Sequence, residues 1–277
     1  MPELPEVATV ITELKSCVLN KPVKQVKVHL DKVLKNTNVK QLNDALVNHS
    51  FVDIKRRGKY IIFCLSNGLF LVSHLRMEGK YFFEAKGSQF DLNHVLVEFL
   101  FQDGDQLNYH DTRQFGTFHL FNRYQFENAR ELNKLALDPL DQEFNHQAIF
   151  NKGHKSNKKI KTFILDQTNI SGIGNIYADE ILFASKIHPE TLAKNLNLSQ
   201  YQLICQNATD ILKKAVEMKG TTIGTFTFKK DHTGGYQHFL KIHGKKGKQC
   251  QSCNTTIIKK KINGRGSYIC EKCQIQR

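Results

Sequence analysis

Near its C-terminal end the chain reads CQSCNTTIIKKKINGRGSYICEKC, which spans residues 250–273. Two Cys-x2-Cys pairs at this separation can bring four thiolates onto one metal ion. A tetrahedral set of thiolates selects zinc, and a closed site of this kind is structural rather than catalytic. The stretch therefore predicts one structural zinc ion, bound by Cys250, Cys253, Cys270 and Cys273.

The same stretch contains Asn263-Gly264 between two short extended runs. Asn-Gly in this setting is the strongest short signal for a two-residue hairpin turn. We therefore expect the metal to hold a β-hairpin, with Arg265 beside its tip and pointing outward. The alternative for the four cysteines is a pair of disulfides in a secreted module. An N-terminus that carries Pro2 and Pro5 instead of an apolar run does not resemble a signal peptide, which favours zinc.

Positive charge is concentrated in this part of the chain. The formal net charge is +14, and residues 240–277 hold ten Lys and Arg against one acid, which gives +9. A basic hairpin of this kind is typical of proteins that bind a polyanion, and phosphate contacts make nucleic acid the first candidate. The alternative is a solvated lysine surface, which accounts for part of the excess but not for its clustering.

Length and apolar patterning indicate the class of protein. A chain of 277 residues is expected to form about two domains. No apolar run reaches the ~18 residues that a membrane helix needs, so we expect a soluble protein. Cys17, Cys64 and Cys205 lie singly in apolar contexts and are predicted to be buried thiols, which suits a reducing cytoplasm.

The first half of the chain changes from helical to alternating spacing. Val7, Val10, Ile11, Leu14 and Val18 fall on one stripe of a helix that starts next to the N-terminus. Short segments rich in Val, Ile, Phe and Leu follow, at Pro22–Leu30, Phe51–Arg56, Tyr60–Leu65, Leu69–Leu75, Lys80–Glu84, His94–Phe101 and Thr117–Phe121. Such segments, separated by turn residues, predict an antiparallel β-sandwich of seven or eight strands.

The second half is predominantly helical. Residues 122–156 are polar and lack a sustained period, which predicts a linker with one short helix. Helical spacing around Ile160, Tyr177 and Ile204 then predicts three helices. Residues 219–247 are rich in Gly, Thr, Lys and His and are predicted to form a mobile loop.

Two tight turns separate the first two of these helices. They contain Gly172 and Gly174, and Asn175 after them is able to cap the next helix. A glycine-rich turn at a helix N-terminus presents free backbone N–H groups to an anion, and DNA phosphate is the natural one here. Taken alone this is a weak signal, because most Gly-x-Gly turns only reverse the chain.

The N-terminal sequence MPELPEV allows a structural and a chemical interpretation. Prolines and glutamates suit the first turn of a helix. Removal of Met1, however, would expose the secondary amine of Pro2, which can form a Schiff base with a sugar carbon. Glu3 and Glu6 are placed to supply and remove protons. Together with the basic hairpin, this amine suggests chemistry on a nucleic-acid sugar.

Three motifs resemble the bacterial formamidopyrimidine-DNA glycosylase family. They are MPELPEV at residues 1–7, GIGNIYADE at residues 172–180, and Gly264-Arg265-Gly266 ahead of the second cysteine pair. They occur in matching order over essentially the whole chain. The resemblance implies a monomeric cytoplasmic enzyme, associated with the bacterial nucleoid during repair. It would remove 8-oxoguanine and formamidopyrimidines from double-stranded DNA and cleave abasic sites by β,δ-elimination.

The resemblance also implies an α+β, multidomain fold with a structural zinc. A two-layer antiparallel β-sandwich with flanking helices would span residues 1–121, followed by a linker over 122–156. A helix–two-turn–helix domain with a mobile lesion-recognition loop would span 157–240, and the zinc finger, a β-hairpin, would span 241–277.

Roles for individual residues follow from the resemblance. Pro2 would attack the anomeric carbon and Glu3 would act as general acid, with Glu6 in support. Lys59 and Arg265 would complete the catalytic set by holding the phosphates beside the lesion.

Further residues match the family's DNA contacts. His74 and Asn175 would bind phosphate together with Lys59 and Arg265. Met77, Arg113 and Phe115 match the three residues that fill the gap left by the everted nucleotide, although Met77 and Phe115 taken singly would more often be core residues.

The lesion-recognition loop departs from the family pattern. Thr221 and Thr222 fit it, but Gly224 stands where a long cationic or polar residue is usual. We expect this glycine to weaken loop closure over 8-oxoguanine without affecting the catalytic set.

Two other functions compete with this one. The related endonuclease VIII excises oxidised pyrimidines, and Leu4 together with Met77, Arg113 and Phe115 favours the purine branch instead. A non-catalytic zinc-ribbon protein that binds DNA would need the charge and the hairpin but not Pro2.

Overall fold

The computed structural model describes residues 1–88, 93–221 and 234–275. The chain divides into two compact units. The first comprises Met1–Asn133 and Thr221–Gly234, and the second comprises Lys134–Gly220 and Gly235–Arg277.

The first unit begins with helix α1, Leu4–Val18, as predicted. Its apolar stripe is buried, with Val7, Val10 and Leu14 fully inaccessible to solvent. Helix formation starts at Glu3, the N-cap, which forms a capping box with Glu6. A capping box satisfies backbone N–H groups that the first turn of a helix leaves without partners.

Two four-stranded antiparallel sheets follow, which confirms the predicted sandwich. In spatial order, the first sheet contains β2 (Phe51–Arg57), β3 (Tyr60–Leu65), β4 (Phe70–His74) and β8 (Thr117–Phe121). The second contains β1 (Val23–Val28), β6 (Val95–Phe101), β7 (Gln106–His110) and β5 (Lys80–Glu84).

Aromatic side chains join the two sheets in one core. The ring of Phe51 lies 4.9 Å from that of Phe63 in its own sheet and 6.1 Å from that of Phe99 in the other. Tyr81 and Tyr109 of the second sheet are also fully buried. The rigidity of this core fixes the loops at the ends of its strands.

The sequence prediction missed two elements of this unit. Strand β7 contains only two apolar residues, Leu107 and Tyr109, and the buried residue between them is the polar Asn108, so its sequence does not show an apolar run. Helix α2, Val39–Leu46, is stabilised by a capping box at Asn38 and buries one narrow face. Neither element has the continuous apolar run on which the prediction relied.

Residues 122–156 hold three short helices where one was expected. They are α3 (Arg123–Glu127), α4 (Arg130–Asn133) and α5 (His146–Gly153). Asn122 and Asn145 cap the first and the third by accepting backbone hydrogen bonds. Local capping of this kind produces helices without an apolar stripe, which periodicity does not detect.

The three helices predicted for the second unit are confirmed as α6 (Ile160–Leu165), α7 (Asn175–Ala184) and α8 (Leu198–Glu217). One detail differs from expectation, because Gly174 and not Asn175 is the N-cap of α7. Asn175 is the first helical residue, and its side chain makes a contact outside the helix.

The hairpin between the cysteine pairs is also confirmed. Strands β9 (Ile258–Ile262) and β10 (Arg265–Ile269) pair antiparallel, and Arg265 lies opposite Ile262. Asn263 and Gly264 have φ values of 44° and 78°, which fits the type I′ turn that matches strand twist. Arg265 is exposed beside the tip, as predicted.

Other expectations have mixed outcomes. Of the predicted buried thiols, Cys205 is buried, but Cys17 and Cys64 are partly exposed. The predicted loop at 219–247 contains Thr222 and Gly224, which lie outside the described residues, and its described part includes the 3-10 turn Tyr236–Phe239. Among the described residues, no helix is long and apolar enough to cross a membrane.

Candidate active site

The N-terminus of α1 brings Pro2, Glu3 and Glu6 together. All three are buried, with Glu3 only 2% and Glu6 only 4% exposed. The backbone N–H of Glu3 donates to Oε2 of Glu6 at 2.9 Å. This bond fixes the main chain at Glu3, the residue that directly follows Pro2.

The second carboxylate oxygen of Glu6 binds another segment of the same unit. Oε1 accepts the backbone N–H of Thr221 at 2.8 Å and its hydroxyl at 3.1 Å. Thr221, predicted in the recognition loop, therefore lies against the start of α1. One buried carboxylate joins the two segments.

Lys59 and His74 occupy the same end of the first sheet. Lys59 is the second residue of the two-residue turn between β2 and β3, and it is only 5% exposed. Its neighbour Tyr60 pairs with His74 in the strand register, and their rings meet edge to face at 4.5 Å. The strand pairing thus sets two predicted phosphate contacts side by side.

His74 is held as a neutral hydrogen-bond donor. Burial, followed by the charges of Arg76 and Lys59, lowers the pKa of His74 to about 3. Its Nδ1 accepts the backbone N–H of Arg76 at 2.9 Å, so the single ring proton belongs on Nε2. His74 can therefore donate to an anionic oxygen without carrying charge.

Two loops of the sandwich carry the predicted gap-filling residues. Phe115 is 52% exposed, and Arg113 is also exposed, with its guanidinium carbon 4.9 Å from the centre of the Phe115 ring. Met77 is half-buried in the turn that follows β4. The exposure of Phe115 excludes the core interpretation for that residue.

In the second unit, Asn175 and Arg265 are connected through the residue after the arginine. Nδ2 of Asn175 donates to the carbonyl oxygen of Gly266 at 2.9 Å. The N-terminus of α7 and the tip of the zinc hairpin are thus joined. Oδ1 of Asn175 is buried and accepts no hydrogen bond from the part of the chain that the structure describes.

A buried lysine that the sequence analysis missed supports this connection. Lys161 is 1% exposed, and its Nζ donates to the Gly266 carbonyl at 3.1 Å and to the Ser267 hydroxyl at 2.6 Å. It also forms an ion pair of 2.6 Å with Asp179, whose other oxygen lies 2.7 Å from Nδ1 of His243. A lysine within the apolar segment IKTFIL is the signal that could have revealed it.

Glu180 fixes the segment that leads into the zinc finger. Its carboxylate accepts the backbone N–H groups of Lys241, Ile242 and His243 at 2.8–2.9 Å. Burial raises the pKa of Glu180, although these three hydrogen bonds lower it. Main-chain donors are the chief stabilisers of its charge, ahead of the nearby His243.

The four predicted metal ligands converge. Their sulfur atoms all lie within 4.8 Å of one another, at 3.9 Å for Cys250 and Cys273 and 3.3 Å for Cys253 and Cys270. Tetrahedral binding at a metal–sulfur distance of about 2.3 Å requires sulfur atoms about 3.8 Å apart. The four cysteines can therefore hold one metal ion.

Protonation of these thiols is uneven. Hydrogen bonds from Thr255 lower the pKa of Cys253 to about 6, whereas burial and the neighbouring sulfurs raise the pKa of Cys273. A cation at the centre would stabilise all four as thiolates, so the donor set fits a soft divalent ion.

The predicted site residues are distributed over both units. Unit 1 carries Pro2, Glu3, Glu6, Lys59, His74, Met77, Arg113, Phe115 and Thr221. Unit 2 carries Asn175, Arg265 and the four cysteines.

Comparison with known proteins gives consistent results. The profile of the formamidopyrimidine-DNA glycosylase N-terminal domain matches residues 1–118. That of the formamidopyrimidine-DNA glycosylase H2TH domain matches residues 135–227. Among curated proteins, the formamidopyrimidine-DNA glycosylase of Mycoplasma genitalium is 66% identical over 99% of this chain and 96% of its own length. That of Ureaplasma parvum is 51% identical over 99% of this chain and 100% of its own length.

Solved structures agree with this result. A mutant of the Lactococcus lactis Fpg in complex with DNA that contains Fapy-dG superposes with a TM-score of 0.94 at 35% identity. The Lactococcus lactis Fpg with DNA that contains an abasic site gives a TM-score of 0.92 at 35% identity. Each comparison covers 99% of this chain and 100% of the other.

The Lys161–Asp179 ion pair leads to a prediction about stability. Lys161→Met leaves the Asp179 carboxylate buried without its cation, so we expect the free energy of unfolding to fall by about 3–5 kcal/mol. Lys161→Met combined with Asp179→Leu should lose less, because no charge remains buried. Urea unfolding of the metal-loaded protein measures both values.

Lys158→Met is the matched control for this prediction. Lys158 pairs with Asp166 at 2.8 Å but its side chain is 52% exposed, so its loss should change stability by less than about 1 kcal/mol. Equal losses for Lys158→Met and Lys161→Met would contradict the role assigned to the buried pair.

Proposed function

Because this chain belongs to the formamidopyrimidine-DNA glycosylase family, we propose that Pro2 is the nucleophile of its reaction. The protein is a DNA glycosylase that removes oxidised purines from DNA and cleaves the resulting abasic sites. The observation that supports the assignment to Pro2 is that Pro2 is buried at the start of α1, next in the chain to the capping box that Glu3 and Glu6 form.

The chemistry proposed at Pro2 requires that Met1 be removed. The free amine nitrogen attacks C1′ of the damaged nucleotide, the bond from C1′ to the base breaks, and the proton that the amine loses balances the one that the departing base gains. Glu3 donates a proton to the ring oxygen, which opens the sugar and leaves an iminium, the Schiff base. Removal of a proton from C2′ expels the 3′ phosphate, and removal of the proton from C4′ then expels the 5′ phosphate. Water finally hydrolyses the iminium, which releases the unsaturated sugar fragment and restores the amine of Pro2.

Phosphate binding is proposed for four residues. Lys59 would contribute a positive charge and His74 a neutral N–H, since its pKa is about 3. Arg265 would approach from the exposed hairpin tip. Asn175 can offer its backbone N–H at the start of α7 and the second hydrogen of its Nδ2, since the first is used by Gly266.

Gap filling is proposed for Met77, Arg113 and Phe115. A base inside a duplex cannot reach Pro2, so the nucleotide must be everted and the hole occupied. An exposed aromatic side chain can wedge between base pairs, as apolar residues of DNA-bending proteins do. The exposure of Phe115 supports this role, and the adjacent guanidinium of Arg113 can face the orphaned base.

Zinc is the metal proposed for the four-cysteine site. Four thiolates at tetrahedral spacing select it, and the site has no ligand position left for a substrate. When bound, zinc supplies structural order and takes no part in the reaction. The cysteines then fix both ends of the hairpin that presents Arg265.

Several further statements are predictions from the family resemblance. They are the domain boundaries at residues 121, 156 and 240, the monomeric state, the cytoplasmic location, and the recognition-loop roles of Thr221, Thr222 and Gly224.

The two competing functions are not supported. The relative with 66% identity is named a formamidopyrimidine-DNA glycosylase and matches 96% of its own length, which speaks against an endonuclease VIII. Membership of an enzyme family over the whole chain speaks against a zinc ribbon that only binds DNA.

The first prediction here tests the nucleophile. In the presence of borohydride, protein that begins at Pro2 should gain the mass of an abasic oligonucleotide, because reduction fixes the Schiff base. Protein that retains Met1, obtained as the Pro2→Leu variant, should gain none. Intact-mass spectrometry resolves both species, and full trapping after chemical acetylation of the N-terminus would disprove the assignment.

A second prediction separates charge from hydrogen bonding at the phosphates. Lys59→Met should reduce the slope of log binding constant against log salt by about 0.9, since one charge is lost. His74→Gln should weaken binding by about 1 kcal/mol but leave the slope unchanged, because the wild-type imidazole is neutral. Titration of an abasic-analogue duplex measures both quantities.

Lys55→Met controls for the general loss of a lysine near this sheet, because the Lys55 side chain is 66% exposed and pairs only loosely with Asp53 at 4.0 Å. If the slope of log binding constant against log salt falls as much for His74→Gln as for Lys59→Met, the conclusion that the His74 imidazole is uncharged is wrong.

A third prediction concerns the metal. A chelator should release about one zinc ion per chain, since four thiolates bind a single ion. DNA binding should disappear while the sandwich keeps its near-UV signal, because only the hairpin depends on the metal. Cys205→Ser, which removes a buried thiol outside the cluster, should keep full zinc content.

A further inference from the structure

One buried carboxylate organises the loop that carries Arg113 and Phe115. Asp111 is completely buried. Its Oδ1 accepts the backbone N–H of Arg113 at 3.0 Å, and its Oδ2 accepts those of Phe115 at 2.9 Å and Gly116 at 2.8 Å. Three main-chain donors of one irregular loop thus share one carboxylate group as acceptor.

These bonds determine the loop's conformation. Gln114, between the two functional residues, has φ of 56°, a left-handed conformation that a non-glycine residue adopts only at a cost. Its backbone N–H donates to the carbonyl oxygen of Asp111 at 3.1 Å. Bonds of a carboxylate to main-chain N–H groups are charge-assisted and about twice as strong as neutral ones, so they can hold this strained backbone.

The hydroxyl of Tyr109 extends this arrangement to a second segment. It lies 3.5 Å from Oδ2 of Asp111. A Cβ atom built on Gly116 would come within 1.6 Å of this hydroxyl, and one on Gly79 within 2.4 Å. Because both positions are glycine, the hydroxyl fits between the Phe115 loop and the turn that contains Met77.

Tyr109 keeps its proton in this position. Its side chain is fully buried. Burial, followed by the charge of Asp111, raises the pKa of Tyr109 well above its ordinary value. A hydroxyl that stays protonated can donate to Asp111 over the whole working pH range.

We propose that Asp111 and Tyr109 are positioning residues that hold the two gap-filling segments in one fixed arrangement before DNA binds. The proposal rests on the function proposed above for Met77, Arg113 and Phe115. Neither Asp111 nor Tyr109 is exposed, so neither contacts DNA. They act by fixing the backbone from which the wedge projects, since opening a base step costs a few kcal/mol and a loose wedge would move aside instead.

The experiment compares a stacked with an unstacked substrate. Asp111→Asn keeps the size of the side chain but replaces one carboxylate oxygen by an NH2 group. An NH2 group cannot accept a hydrogen bond from the main-chain N–H groups of the loop, so at least one of these bonds is lost. Wedge insertion is followed by the fluorescence of 2-aminopurine placed beside an abasic analogue opposite cytosine in duplex DNA. Borohydride trapping on a single-stranded abasic oligonucleotide reports the chemistry at Pro2 alone, because a single strand contains no stack to open.

We expect Asp111→Asn to lower two rates by about 10- to 100-fold, the range that a misplaced binding group causes. They are the rate of the 2-aminopurine fluorescence rise and the single-turnover rate at which 8-oxoguanine is excised from duplex DNA. Single-strand trapping should stay within about twofold of wild type. A general loss of folding would instead reduce both reactions together, and equal losses in both would overturn the proposal.

Glu98→Gln is the matched control. Glu98 is a carboxylate of the same sandwich, 6% exposed, which accepts a hydrogen bond from Gln106 at 2.8 Å and lies outside both loops. It should leave the 2-aminopurine signal unchanged. An Asp111→Asn signal equal to that of Glu98→Gln would overturn the proposal.

Phe115→Ala separates this inference from the function on which it rests. If Phe115→Ala loses the signal and Asp111→Asn keeps it, the positioning role is wrong and gap filling stands. If Phe115→Ala keeps the signal, the gap-filling role itself is wrong, and the inference fails with it.

Tyr109→Phe decides the question if Asp111→Asn does not fold. It leaves the three backbone bonds of Asp111 in place and removes only the hydroxyl between the two glycines. A several-fold loss of the 2-aminopurine signal with normal single-strand trapping supports the proposal, and an unchanged signal overturns it.

Discussion

Buried carboxylates that accept main-chain N–H groups hold the irregular backbone of this protein. Glu6 binds Glu3 and Thr221 in this way, Asp111 binds the loop that follows it, and Glu180 binds residues 241–243. Each functional segment is a chain end, a loop or a connection, so no helix or sheet ladder supplies its hydrogen bonds. A buried N–H without a partner is costly, and a carboxylate can accept several at once.

This arrangement also explains how buried charge is tolerated in both units. An isolated carboxylate in the interior would be neutralised or expelled, but two or three N–H donors replace much of its hydration. Asp179 is held differently, because Lys161 balances it with a full positive charge. Lys161 and Asn175 both donate to the carbonyl oxygen of Gly266, the residue after Arg265. The only fully buried lysine side chain among the described residues therefore lies between two proposed phosphate contacts, Asn175 and Arg265.

The sequence was sufficient for features that depend on local pattern. The cysteine spacing, the Asn-Gly turn, the apolar stripe of α1 and the three helices of the second unit all follow from contacts between residues close in the chain. The contacts of Glu6 with Thr221 and of Glu180 with Ile242 were not predicted, because the partners are 215 and 62 positions apart in the chain. Strand β7 and two of the three helices of residues 122–156 were missed for a different reason, since polar residues are at least as numerous as apolar ones in these segments.

The exposed ring of Phe115 has a consequence for how copies of the protein meet in solution. An aromatic side chain that is 52% exposed on a loop can come into contact with the surface of a second molecule. Here the guanidinium of Arg113 lies over one face of the ring, and the net charge of +14 makes two approaching molecules repel each other. The positive charge that attracts a polyanion therefore also opposes self-association of the protein. It allows the Phe115 side chain to remain exposed to solvent in the absence of DNA.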